Sequence, residues 1–213
     1  MSALEFQERP ASGEPRGLLF LHHGRGSWEG DLLPLADVLD PGHALHVVAP
    51  RAPMELPGQP GYHWYLVPRV GHPDHDSFHA ALDALTEFHD ETFERTGIGP
   101  DRTVLGGFSM GAVMSYSSGL SPDRPAPAGL LAFSGFIPTV DDWQPSLADR
   151  SDLPVLIAHG SQDPVITVDF GRAARDQLVA GGLKPEYIET QGGHWIEEST
   201  LAPAAALIDR ALS

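Results

Sequence analysis

Six short apolar runs alternate with helix-patterned segments along 213 residues, and this alternation limits the fold more than any single motif does. The strand-like runs are 17–22, 44–49, 103–107, 129–134, 153–158 and 185–190. Helical spacing of apolar residues covers Leu32 to Leu39, Ser77 to Arg95, Met110 to Ser118, Asp169 to Ala180 and Pro203 to Leu212. A chain that alternates in this way builds a mostly parallel, twisted α/β sheet with helices on both faces. Leu4 to Glu8 is a further short edge-strand candidate, so about six to seven strands are expected. No Pro/Gly/Ser linker separates two patterned halves, and residues 1–213 read as one domain.

Right-handed crossovers gather the carboxyl ends of parallel strands along one edge of the sheet, and three segments with chemical potential fall at such ends. The first is Gly107-Phe108-Ser109-Met110-Gly111, between an apolar run and a helix. This G-x-S-x-G reads as a strand-to-helix elbow that exposes the Ser109 hydroxyl. The second is Ser161-Gln162-Asp163-Pro164-Val165, delivered by the run ending at Gly160. The third is Gln191-Gly192-Gly193-His194-Trp195, where two glycines are expected to free a loop that carries an imidazole.

A serine hydroxyl is a poor nucleophile at neutral pH, so it needs a histidine to take its proton and a carboxylate to orient that histidine. Ser109, His194 and Asp163 are the candidates, and their order along the chain is Ser, Asp, His. His22, His23 and His159 compete as bases, but each stands one or two residues before a glycine at a strand end, where loop hydrogen bonding is the expected role. The glycine-rich loop Leu21-His22-His23-Gly24-Arg25-Gly26 is placed to donate backbone amides to an oxyanion. The expected donors are the N–H groups of Arg25 and Met110.

The L-H-H-G-R-G loop at 21–26, G-F-S-M-G at 107–111, H-G-S-Q-D-P-V at 159–165 and G-G-H at 192–194 together span nearly the whole chain. With them the sequence resembles the α/β-hydrolase superfamily, specifically the phospholipase/carboxylesterase family that includes small bacterial esterases and acyl-protein thioesterases. The resemblance implies an α/β-hydrolase fold and carboxylic ester hydrolysis by a Ser-His-Asp triad, without metal or organic cofactor. It also allows a homodimer, although no self-complementary patch is legible in the residues. Arg25 departs from the apolar residue usual in the thioesterases of that family, which bears on specificity more than on the backbone donor.

Composition narrows the partners. The chain carries 13 Lys and Arg against 29 Asp and Glu, a net charge of −16, so nucleic acid and anionic membrane surfaces are not expected to bind. Cysteine is absent, which excludes disulfides and a thiol nucleophile. Met1-Ser2-Ala3-Leu4-Glu5-Phe6 lacks the basic start and apolar run of a secretory leader, and no stretch approaches about 18 apolar residues. A cytoplasmic protein acting on a small-molecule ester is therefore expected.

Two further groups of residues are conspicuous. Residues 72–79 supply metal-ligand types, with His75 and His79 on one helix face, but capping of the helix by Asp74 or Asp76 is the simpler role. Trp64, Tyr65, Leu66, Phe136, Ile137, Val165 and Trp195 fall in loops expected to overhang Ser109, where they would line an apolar acyl or aryl pocket. The expected activity is hydrolysis of small to medium acyl or aryl esters through an acyl-enzyme. The same triad would serve an acyl thioesterase or a lysophospholipase. From another class, a non-catalytic protein binding a hydrophobic ligand could use the same scaffold.

Overall fold

A computed structural model describes residues 4–213; Met1, Ser2 and Ala3, the start of the segment read for a leader, lie outside the described residues. Strands β1 (Phe6–Arg9), β2 (Gly17–His22) and β3 (Leu45–Pro50) precede a two-stranded hairpin, β4 (Met54–Glu55) and β5 (Tyr62–His63). After it come β6 (Thr103–Phe108), β7 (Gly129–Phe133), β8 (Val155–Gly160) and β9 (Glu186–Thr190). The helices are α1 (Ala36–Leu39), α2 (His75–Thr96), α3 (Met110–Gly119), α4 (Val168–Ala180) and α5 (Leu201–Ala211).

Seven strands form one sheet in the order β1-β3-β2-β6-β7-β8-β9. All neighbours are parallel except β1, which runs antiparallel to β3 with Phe6 opposite Pro50. The first strand thus starts two residues and ends one residue later than Leu4 to Glu8, and Leu4 is instead buried in the core.

Side chains on each strand alternate between the two faces, and the core divides accordingly. Leu18, Phe20, Val48, Leu105, Leu130, Ala132, Val155 and Ile157 pack with α2, α3 and α4 on one face. Their neighbours Leu19, Leu21, Val47, Val104, Leu131, Phe133, Leu156 and Ala158 pack with α1 and α5 on the other. Burial on both faces explains why the strands read as unbroken apolar runs. Each fully buried Leu or Phe contributes about 1.5–3 kcal/mol of transfer free energy.

Local signals set the helix limits. Asp74 caps α2, its side chain accepting from the Ser77 N–H at 3.0 Å, and Gly97 ends it in the left-handed conformation at φ 68°. The segment 32–39 is not one helix: Leu33–Leu35 is a 3-10 turn, with Pro34 in it, and only one α turn follows. The β4–β5 hairpin has no signature in the sequence, because two-residue strands leave no periodicity to read.

The connections from two neighbouring strands run in opposite directions, from β2 to β3 on one side and from β6 to β7 on the other. The crevice at the carboxyl ends of β2 and β6 is therefore the switch point where an open α/β sheet binds ligands. Ser109 follows β6 directly, and the 23–26 loop follows β2.

Candidate active site

Ser109 occupies φ 55°, ψ −120°, a region that costs a non-glycine residue about 1–3 kcal/mol. Its N–H donates to Phe133 O at 2.9 Å, which ties the elbow to the adjacent strand β7. Although Ser109 stands at the N-cap of α3, its side chain makes no capping bond. The hydroxyl is instead 2.9 Å from His194 Nε2. Gly107 and Gly111 are required by clearance. A Cβ on Gly107 would collide with the Gly111 backbone, and one on Gly111 would overlap the His22 carbonyl and lie 2.6 Å from His23 O. Only glycine lets α3 rise this close to β2.

His194 Nδ1 lies 2.6 Å from Asp163 Oδ2. Asp163 has a fully buried side chain, and its other oxygen accepts from the N–H groups of Val165 at 2.8 Å and Ile166 at 2.9 Å. The hydrogen bonds around Asp163 set the tautomer: Nδ1–H donates to Asp163, and Nε2 accepts from the Ser109 hydroxyl. His159 lies beneath the acid, its Nε2–H donating to Ile166 O at 2.8 Å, which braces the turn that holds the carboxylate. Burial pushes the His159 pKa down.

The Gly192-Gly193 pair has a different role from the one its sequence suggests. Neither glycine takes a positive φ. A Cβ on Gly192 would run into the Glu197 carboxylate, and one on Gly193 would strike the Trp195 ring. Trp195 is seated over Gly193 with its Nε1–H donating to Glu197 at 2.7 Å.

The 23–26 loop is pinned from three sides. His23 donates from Nδ1 to Gly24 O at 2.8 Å, and its Nε2 accepts from the Ala52 N–H at 3.0 Å. Trp64 Nε1–H donates to His23 O at 2.9 Å. Gly26 and Ser27 exchange backbone bonds with Tyr62 of β5 at 2.9 and 2.7 Å. Among the described residues, the amides of Arg25 and Met110 donate no hydrogen bond within the chain. Met110 N is also an open donor at the positive end of α3, where an oxyanion is favoured.

Behind the elbow, a buried polar chain joins α2, β2 and α3. Ser118 Oγ lies 3.2 Å from His89 Nδ1, His89 Nε2 lies 3.2 Å from His22 Nε2, and His22 Nδ1 lies 2.8 Å from Ser115 Oγ. Ser115 uses its proton on Gly111 O at 3.0 Å, so the order is fixed from Ser118 through both imidazoles to Gly111. His22 thus bonds side chains, not the loop backbone expected of it. Burial holds both imidazoles neutral. It lowers His89 to about 3 with help from Arg124, and lowers His22 well below its usual value with help from the nearby His89.

Because these imidazoles must stay neutral in the fold but take protons near 6.5 when unfolded, stability is fully present above about pH 6.5. It is lost as pH falls toward 3, by roughly 1.4 kcal/mol per pH unit per imidazole at most. A His89→Gln variant is expected to show a shallower fall of melting temperature between pH 6.5 and 4 than the wild type. Equal slopes would refute a neutral His89.

An apolar cavity of about 330 Å³ opens beside Ser109. Of the residues expected to line it, Tyr65, Phe136 and Val165 do so, joined by Val67, Val70 and Ile166, which the sequence reading missed. Trp64, Leu66, Ile137 and Trp195 do not line it. Trp64 is wholly buried beneath the 23–26 loop, Leu66 points to solvent, Ile137 packs against the core, and Trp195 lines a separate groove. Arg25 reaches the cavity rim and donates to Gln59 at 2.9 Å. His75 and His79 lie outside the site, bonded to Asp76 at 2.8 Å and to the Asp141 carbonyl at 2.9 Å.

Solved structures set the class. The fold matches esterase PE8 with a TM-score of 0.82 and 30% identity, covering 98% of this chain and 99% of that one. It also matches a carboxylesterase from Bacillus cereus with a TM-score of 0.85 and 23% identity, over 99% and 95% of the two chains. The fold is that of the α/β-hydrolases. The phospholipase/carboxylesterase family model matches residues 8–210, and the chain belongs to this family of ester hydrolases. Among its relatives are acyl-protein thioesterase 1 of Debaryomyces hansenii, 29% identical over 92% of this chain and 90% of that one, and that of Candida albicans, 28% identical over 93% and 94%. Among the described residues no helix is long and apolar enough to cross a membrane.

Proposed function

We propose that the protein is a serine carboxylesterase for small to medium acyl or aryl esters, with Ser109, His194 and Asp163 as its triad. Ser109 Oγ attacks the ester carbonyl while His194 Nε2 takes its proton, and Asp163 stabilises the imidazolium. The amides of Arg25 and Met110 hold the oxyanion. His194 then protonates the leaving alcohol and later activates water, which releases the acid and frees Ser109. The observation that carries this reading is the unbroken Ser109–His194–Asp163 hydrogen-bonded line opening into an apolar cavity. At about 330 Å³ that cavity stands at the small end of ligand pockets, which favours short acyl groups over palmitoyl.

Intact-mass measurement after fluorophosphonate treatment should give one adduct, which peptide mapping assigns to Ser109. A p-nitrophenyl ester series from acetate to palmitate should then peak at or below octanoate. A maximum at palmitate would refute the chain-length reading. No adduct on folded protein would favour a ligand-binding role. The fungal relatives' names favour thioesters as a second substrate class, and the absence of cysteine lets released thiol be titrated without background from the protein.

A further inference from the structure

A second concavity of about 330 Å³ lies on the other side of His194 from the cavity already described. Leu32, Pro34, Leu35, Trp195 and Ile196 build its apolar wall, and it meets the first along Phe108, His194 and the one carboxylate common to both, Asp31. The Phe108 and His194 rings lie 4.9 Å apart between centroids and form the ridge separating the two. The groove is built in advance. Trp195 is fixed by its bond to Glu197 and by its seat over Gly193, and Leu32 is buried in the core beneath. Trp195 is nevertheless 56% exposed, a large apolar side chain left uncovered next to the proposed base.

We infer that this groove is the subsite for the alcohol half of the ester and takes an apolar, preferably aromatic, alcohol. The inference rests on the esterase reading above. The argument is positional: the group that protonates the leaving oxygen must stand beside the leaving group, His194 walls both concavities, and Ser109, Arg25 and Met110 line only the first, which leaves the groove to the alcohol. With the acyl chain in the cavity of Tyr65, Phe136 and Val165, the second arm of the ester crosses the His194–Phe108 ridge into the groove. Trp195 there acts as a specificity-determining residue, offering a ring face to an aryl or branched alkyl alcohol.

The test compares 2-phenylethyl acetate with ethyl acetate, two esters of one acid whose primary alcohols are nearly equal as leaving groups. The wild type should favour the phenylethyl ester in kcat/KM by about 10- to 30-fold, as burial of much of a ring predicts. Trp195→Ala should bring that ratio to within about threefold of unity, and Trp195→Phe should restore most of it. The ratio of ethyl butyrate to ethyl acetate, which reads the acyl side, should not move. If Trp195→Ala leaves the alcohol ratio intact, even with both rates lowered, the subsite is refuted while the esterase reading stands. If the wild type turns over no ester and takes no fluorophosphonate, both fall together.

Discussion

Ser109→Ala is expected to lower kcat/KM for p-nitrophenyl butyrate by about 10⁴-fold or more and to abolish the fluorophosphonate adduct. The substitution removes one oxygen atom whose hydrogen bond runs to His194. Alanine keeps the Cβ, so the strain at φ 55° is unchanged, and the N–H bond to Phe133 O persists. His194 stays oriented by Asp163, and the residual turnover expected above the uncatalysed rate is that of the proposed oxyanion donors and of binding. The melting temperature should stay within a few degrees of the wild type. A folded variant with full activity would mean that another group is the nucleophile.

Gly111→Ala should damage the protein as a whole. The new methyl would have to displace two backbone carbonyls, those of His22 and His23, and neither can rotate away as a side chain could. Both lie at the end of β2, wholly buried and held by the Ser115–His22–His89 chain and by Trp64. Overpacking against backbone in a closed core is expected to cost about 3 kcal/mol or more. For a chain of this size that is a drop of about 6–12 °C in melting temperature. The surviving fraction should also lose kcat, because the displaced strand end carries the Arg25 amide. Gly13→Ala, at a site with no neighbour within 4 Å of the added atom, is the control and should change stability by no more than about 0.5 kcal/mol. A Gly111→Ala protein that melts with the wild type would contradict the close approach of α3 to β2.

Much of this architecture was legible because the physics acting on it is local or periodic. Strands buried on both faces must be apolar throughout, which exposed β2, β3, β6, β7 and β8 as runs. The proposed trio was legible because each member lies within a few residues of the end of a strand, Ser109 after Phe108, Asp163 after Gly160 and His194 after Thr190, which leaves little chain to misplace it. What escaped depends on contacts between segments far apart in sequence. The hairpin of Met54–Glu55 with Tyr62–His63 exists because it is tied to the Gly26–Ser27 backbone, a partner no local pattern reveals. Trp64 and Trp195 look alike as loop aromatics, yet one donates to a buried carbonyl and the other borders a groove. Gly192 and Gly193 suggested flexibility, whereas the Glu197 and Trp195 side chains occupy the space a Cβ would need. His22 and His89 are 67 residues apart, and only the packing of α2 on the sheet makes them a pair.

The backbone of Ser109 also has a bearing on the history of this sequence. A residue held at φ 55°, ψ −120° lowers the stability of any fold that contains it, and glycine would relieve that cost in one substitution. Single changes that add stability are commonly available and their recurrent cost is lost function, so a lineage drifting without demand for its chemistry has no reason to pass this one over. A serine kept in that posture, its hydroxyl still facing an imidazole, is what ongoing selection for turnover would leave behind.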